Sequence, residues 1–147
     1  MRLSTKGRYG LKAIFELALN ESSGPVPLKH IAQKRNISEQ YLEQIFASLR
    51  KAGLVKSIRG AQGGYLLGRS ADEITVGDIL VVLEGPVAPS ECVLDSENCE
   101  NSEVCVTKIV WEKIKASIEE VTNSITLQDM VDDHMKNKDN GNFNYMI

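Results

Sequence analysis

The chain has 147 residues, 42% of them apolar and 25% charged, with a formal net charge of −3, enough apolar sequence to bury one core and too much to leave the chain disordered. Its first residues run into amphipathic rather than continuously apolar sequence, so neither a signal peptide nor a membrane span is read there, and a cytoplasmic location is expected. The small net charge conceals two halves, because residues 1–70 hold 12 Lys+Arg against 4 Asp+Glu whereas residues 71–147 hold 5 against 16. A basic half on an acidic whole points to a polyanion-binding module joined to a part that stays off the polyanion.

In chain order, Tyr9, Leu11, Ile14, Phe15, Ala18 and Leu19 recur near helical spacing and predict a helix over residues 5–20, ended by Glu-Ser-Ser-Gly-Pro at 21–25. Pro27 suits the first turn of a short second helix, whose Leu28, Ile31 and Ala32 share a face before Asn36 breaks it. Ser38 caps a third helix from Glu39 to Lys51, with Leu42, Ile45, Phe46 and Leu49 as its apolar stripe and Gly53 as its stop. Leu54–Arg59 and Tyr65–Leu67 read as strands around the permissive tip Gly60-Ala-Gln-Gly63-Gly64. The expected fold is therefore mainly α with a small β-hairpin wing, a winged helix-turn-helix.

Thr75 caps an apolar helix over Val76–Glu84 that Gly85-Pro86 closes. Val104 to Val121 is the longest periodic stretch, and its stripe of Ile109, Val110, Trp111, Ile114, Ile118 and Val121 exceeds what a winged helix can cover. A long dimerisation helix buried between two copies is expected. Thr126 caps a last helix through Met135, and KNKDNGNFNYMI reads as a poorly ordered polar tail. The expected divisions are a DNA-binding domain at 1–85, a cysteine loop at 86–105, the dimerisation and C-terminal helices at 104–135, and a tail at 136–147.

In a helix-turn-helix the start of the second helix faces the major groove, which makes Ser38, Glu39, Gln40, Glu43 and Gln44 candidate readers. A glutamine amide donates to and accepts from one base, most often adenine. Tyr41, Arg50, Lys51 and Lys56 suit phosphate contacts, and Arg59, beside the glycines of the hairpin tip, suits a minor groove. Glu43 is repelled by phosphate yet can accept from the cytosine amino group, so it penalises most sequences; the plainer alternative is a solvated acid paired with Arg50 or Lys51.

All three cysteines, Cys92, Cys99 and Cys105, fall within one short acidic stretch. An odd number without a secretory signal argues against a disulfide framework. Their spacing lacks the paired knuckles of a structural zinc site, and no catalytic dyad is visible, the histidines being only His30 and His134. An iron-sulfur cluster, zinc and free redox thiols all remain open on spacing alone.

MRLSTKGRYG, GPVPL, SEQYLEQ, LRKAGLVKSIRGAQGGYLL, TVGDI, the three cysteines and VWEKI…ITLQD together resemble the IscR-type iron-sulfur regulators of the Rrf2 family, from residue 1 to about residue 130. The resemblance implies a homodimeric bacterial transcription factor, a repressor, that binds a near-palindromic operator in double-stranded DNA. It implies a 2Fe-2S cluster on Cys92, Cys99 and Cys105, delivered by an iron-sulfur scaffold protein, and control of cluster-assembly genes. By position it also places Gln40, Glu43 and Gln44 in the major groove and Arg59 in the minor groove.

Lys108 departs from the pattern, since it stands where such regulators carry a cluster-binding histidine, and a protonated amine has no lone pair to give. Arg8 likewise replaces the amino-terminal carboxylate used by other relatives. The fourth ligand is unassigned, with Asp95, Glu97, Glu100, Glu103 and the more distant His134 as candidates. The alternative is a winged-helix regulator that senses oxidant or nitric oxide directly through its thiols or a different metal, or one controlled by a docking enzyme.

Overall fold

The computed structural model describes residues 3–89 and 105–140. Among them are six α-helices and one two-stranded antiparallel sheet: α1 (Thr5–Leu19), α2 (Leu28–Arg35), α3 (Glu39–Lys51), β1 (Val55–Ile58), β2 (Gly64–Leu67), α4 (Val76–Glu84), α5 (Val106–Ser124) and α6 (Leu127–Asp139). The architecture is a winged helix, mainly α with a β-hairpin wing.

The helix-turn-helix forms for local reasons. Asn36 ends α2 in the left-handed region at φ 54°, a conformation asparagine tolerates. Ile37 then buries itself, and the Ser38 hydroxyl accepts the Tyr41 N–H at 3.1 Å to open α3. Leu42, Ile45, Phe46 and Leu49 are all fully buried, so the stripe read from the sequence is the face that α3 turns inward.

Helix α1 packs on the core along part of its apolar sequence. Ala13, Ile14, Leu17 and Ala18 are buried, while Phe15 and Leu19 are only half-buried. Glu16 is buried too, at 0% exposure, its carboxylate accepting from Arg35 Nε at 2.8 Å and lying 3.0 Å from Lys34 Nζ. A buried charge survives only when paired, and here the pairing fastens α1 to the end of α2 just before α3.

The wing pairs Val55 with Leu67 and Ile58 with Gly64 at its ends. A third strand-like contact holds it: Val26 N–H donates to Tyr65 O at 3.0 Å and Tyr65 N–H donates back at 2.9 Å. Gly64, at φ 155°, has no room for a Cβ against the Val26 backbone.

Thr75 and Thr126 open α4 and α6 with matching capping boxes, to Asp78 and Asp129, every bond 3.0 Å. The two caps also bridge each other, with Val76 N–H on Ile125 O at 2.8 Å and Leu127 N–H on Ile74 O at 2.9 Å. Leu127 sits at 0% exposure in the main core, and α6 lies against α1. Helix α6 runs past Met135 to Asp139, so residues 136–139, read as tail, are helical; Lys136 and Lys138 stand in its last turn, where cations complement the helix dipole. Residues 141–147 of the expected tail lie outside the described residues.

Helix α5 spans Val106–Ser124 rather than the stretch from Val104 to Val121, and none of its residues is buried. It touches the rest through α4, where Gly77 leaves space for Asn123. Among the described residues, no helix is long and apolar enough to cross a membrane.

Candidate nucleic-acid interface and cysteine segment

Gln40, Glu43 and Gln44 are exposed on α3, while Ser38 spends its hydroxyl on the helix cap. Glu43 has no ion pair within 4.0 Å among the described residues. Arg50 and Lys51 lie two turns further along the helix, about 10 Å away along its axis, too far for the pairing the sequence left open.

Arg50 and Lys51 are exposed at the C-terminus of α3, Lys56 is exposed on β1, and Arg59 is exposed beside Gly60 at the hairpin tip, where Gly60 has φ 114°. The wing is fixed relative to α3 by the Tyr65 ring, whose centroid lies 4.8 Å from that of Phe46. Tyr41 is half-buried, edge-on to Tyr9 at 6.0 Å, with its hydroxyl 3.5 Å from the Thr5 hydroxyl. It is therefore as much a packing residue of α1 as a candidate phosphate contact.

Cys92, Cys99, Asp95, Glu97, Glu100 and Glu103 lie outside the described residues. Cys105 stands at the N-cap of α5, half-buried and free of any disulfide. Its thiol lies 2.9 Å from the Thr107 hydroxyl; that hydrogen bond and the backbone N–H of Lys108 lower its pKa below the usual thiol value. The side chain is thus inclined toward thiolate, the form that binds metal and attacks electrophiles.

Lys108 is mostly shielded and faces Glu112 at 3.7 Å. His134 is exposed on α6 with its ring edge-on to Phe15 at 5.8 Å. Arg8 is exposed in α1, its Nε donating to Leu3 O at 3.4 Å. Among the described residues there is no group of three metal-binding side chains.

Two features escaped the sequence. Glu16 reads as a solvated helix acid until Arg35 closes on it, and Glu84 reads as the plain end of an apolar helix. In the structure the Glu84 carboxylate accepts the N–H groups of Ser4 and Gly7, both at 2.9 Å, and the Ser4 hydroxyl. No local signal announces either, since each is made by residues far apart in sequence.

Comparison with known proteins gives these features a family. The family model for Rrf2, described as an iron-dependent transcriptional regulator, matches residues 3–133. The regulator CymR of Bacillus subtilis is 51% identical over 130 residues, covering 88% of this chain and 89% of its own, and IscR of Erwinia tasmaniensis is 44% identical over 131, covering 89% and 79%. Among solved structures, IscR of T. potens is 53% identical at a TM-score of 0.76, covering 91% of this chain and 88% of its own. The solved structure of B. subtilis CymR, titled as that of the global cysteine regulator, matches at the same TM-score with 49% identity, covering 90% and 97%. With its winged helix, its exposed cationic hairpin and these relatives, the chain belongs to the Rrf2 family of transcriptional regulators.

Proposed function

We propose that the protein is a homodimeric, cytoplasmic repressor whose cysteine segment senses iron-sulfur status and sets its affinity for a near-palindromic operator. The observation that carries the sensing half is the place of the thiols: all three fall in the segment that joins α4 to α5, and Cys105 is held at a helix start that lowers its pKa. The donor set fits a 2Fe-2S cluster in its sulfur ligands, since three soft thiolates suit iron. Cys92, Cys99 and Cys105 would hold it; Lys108 would not, being a cation against Glu112. When bound, such a group supplies a labile, redox-active centre.

The chain's own residues do the rest. Arg50, Lys51 and Lys56 neutralise phosphates, Gln40 and Gln44 read base edges, Glu43 rejects sites that offer it no donor, and Arg59 enters the minor groove. The exposed face of α5, where Ile109, Val110 and Val121 are 52%, 47% and 57% exposed, meets the same face of a second copy. A 19-residue helix presents an edge about 28 Å long, ample for a twofold contact. Feedback on cluster-assembly genes, with a scaffold protein as donor, is part of the proposal and rests on the resemblance to IscR-type regulators.

A second reading is favoured by Lys108 and by the close match to a regulator titled for cysteine control: the thiols respond to oxidant or nitric oxide directly, or a docking enzyme controls the dimer. Anaerobic purification followed by iron and acid-labile sulfide assay separates the two. About two of each per chain, with visible charge-transfer absorbance, supports the cluster; a colourless, iron-free protein that still responds to oxidant supports the thiols.

A further inference from the structure

We propose that Glu84 is a positioning residue for DNA binding, tying the end of α4 to the first turn of α1 and through it setting Tyr41 at the start of the reading helix. The inference rests on the regulatory reading above and deepens it by naming the contact through which the cysteine segment reaches the DNA face.

The first N–H groups of any helix have no partner within it. On α1 the N-cap residue Ser4 makes no side-chain cap to its own helix. The acceptor comes instead from a helix eighty residues along the chain: one oxygen of Glu84 takes the N–H of Ser4 and the N–H of Gly7, each at 2.9 Å, together with the Ser4 hydroxyl. A carboxylate there is also favoured by the positive end of the helix dipole. Glu84 is the last residue of α4, and Gly85, at φ 77°, ends that helix; along the sequence the first cysteine, Cys92, follows seven residues later.

The two helices meet with no slack. A methyl group on Gly7 would overlap the Glu84 carboxylate, and one on Gly10 would overlap the Leu83 side chain. Close-packed contacts of this kind shift as units rather than stretching. The same turns of α1 then touch α3. The Thr5 hydroxyl lies 3.5 Å from that of Tyr41, and the Tyr9 ring meets the Tyr41 ring edge-on at 6.0 Å. A displacement of the α4 end is therefore passed by α1 to the first turn of α3, beside Gln40, Glu43 and Gln44.

The test uses the full-length protein and the duplex it selects from a random-sequence pool. Dissociation constants are measured for the protein loaded anaerobically with iron and sulfide and for the same protein stripped by chelator. For wild type the ratio of the two is expected within the usual span for coupled sites, about 5- to 150-fold. Glu84→Gln keeps a carbonyl oxygen for the same N–H groups and should retain most of that ratio. Glu84→Ala should bring it to about twofold or less, as the coupling that produces it is lost.

An Ala variant with the wild-type ratio overturns the proposal, as does one that loses affinity equally in both states, which would mark a merely structural contact. If Glu84→Ala does not fold, Tyr9→Leu breaks the other end of the relay while leaving the cap intact, and an unchanged ratio there overturns it equally. A wild-type protein with no difference between loaded and stripped states sinks the sensing reading itself, whatever the variants do.

Discussion

Tyr65 on β2 and Phe46 on α3 lie with ring centroids 4.8 Å apart and planes tilted by 58°, so the wing and α3 are one packed unit. The same tyrosine exchanges two backbone hydrogen bonds with Val26, which closes the unit against the α1–α2 connection. Arg59 and Gln44 are therefore carried on one packed unit, which suits the roles proposed for them in two grooves of one duplex.

Gly64 is the residue on which this clamp depends. Gly64→Ala places a methyl into the Val26 backbone at a positive φ, and we expect a loss of roughly 1 to 3 kcal/mol in urea unfolding. Ala61→Gly at the exposed tip serves as the control and should be nearly neutral.

Glu43→Ala removes an exposed acid with no ion-pair partner among the described residues, so stability should hardly change. Sequence discrimination should relax by about 1 to 3 kcal/mol at each affected base pair. Binding to a panel of single-site operator variants measures it; equal selectivity would return Glu43 to the status of a solvated acid.

The apolar face of α5 predicts the assembly state. Val110→Glu sets a charge on that face without touching the core, since Val110 is 47% exposed. Sedimentation should show a dimer for wild type and a monomer for the variant, with unchanged circular dichroism. A variant that stays dimeric would place the interface elsewhere.

Cys105 predicts a pH dependence. Its pKa is lowered, first by the Thr107 hydroxyl and then by the Lys108 backbone N–H, so its thiolate fraction rises at lower pH than for an ordinary thiol. In a Cys92→Ser, Cys99→Ser background, iodoacetamide alkylation should reach half its maximal rate below the usual thiol midpoint. Thr107→Val removes the leading cause and should move that midpoint upward; an unmoved profile would show that the hydroxyl does not set it.

The legible parts of the fold were those written locally. Helix α3 could be read to its end residues because a serine cap, a strict apolar stripe and a terminal glycine agree. The capping boxes at Thr75 and Thr126 marked two further starts. What stayed hidden was long-range: Glu16 is buried by cations from another helix, Val26 joins the wing from a connection that reads as loop, and Glu84 caps a helix some eighty residues earlier. That Gln40, Gln44 and Arg59 stand exposed follows from positions the motif fixes; that they read DNA is our proposal.

The most direct measurement of the account is the affinity of wild-type protein for one selected duplex, loaded with iron and sulfide and then stripped, at a single salt concentration. A difference of at least about fivefold between the two states is expected. Equal affinities on every duplex tried would contradict it.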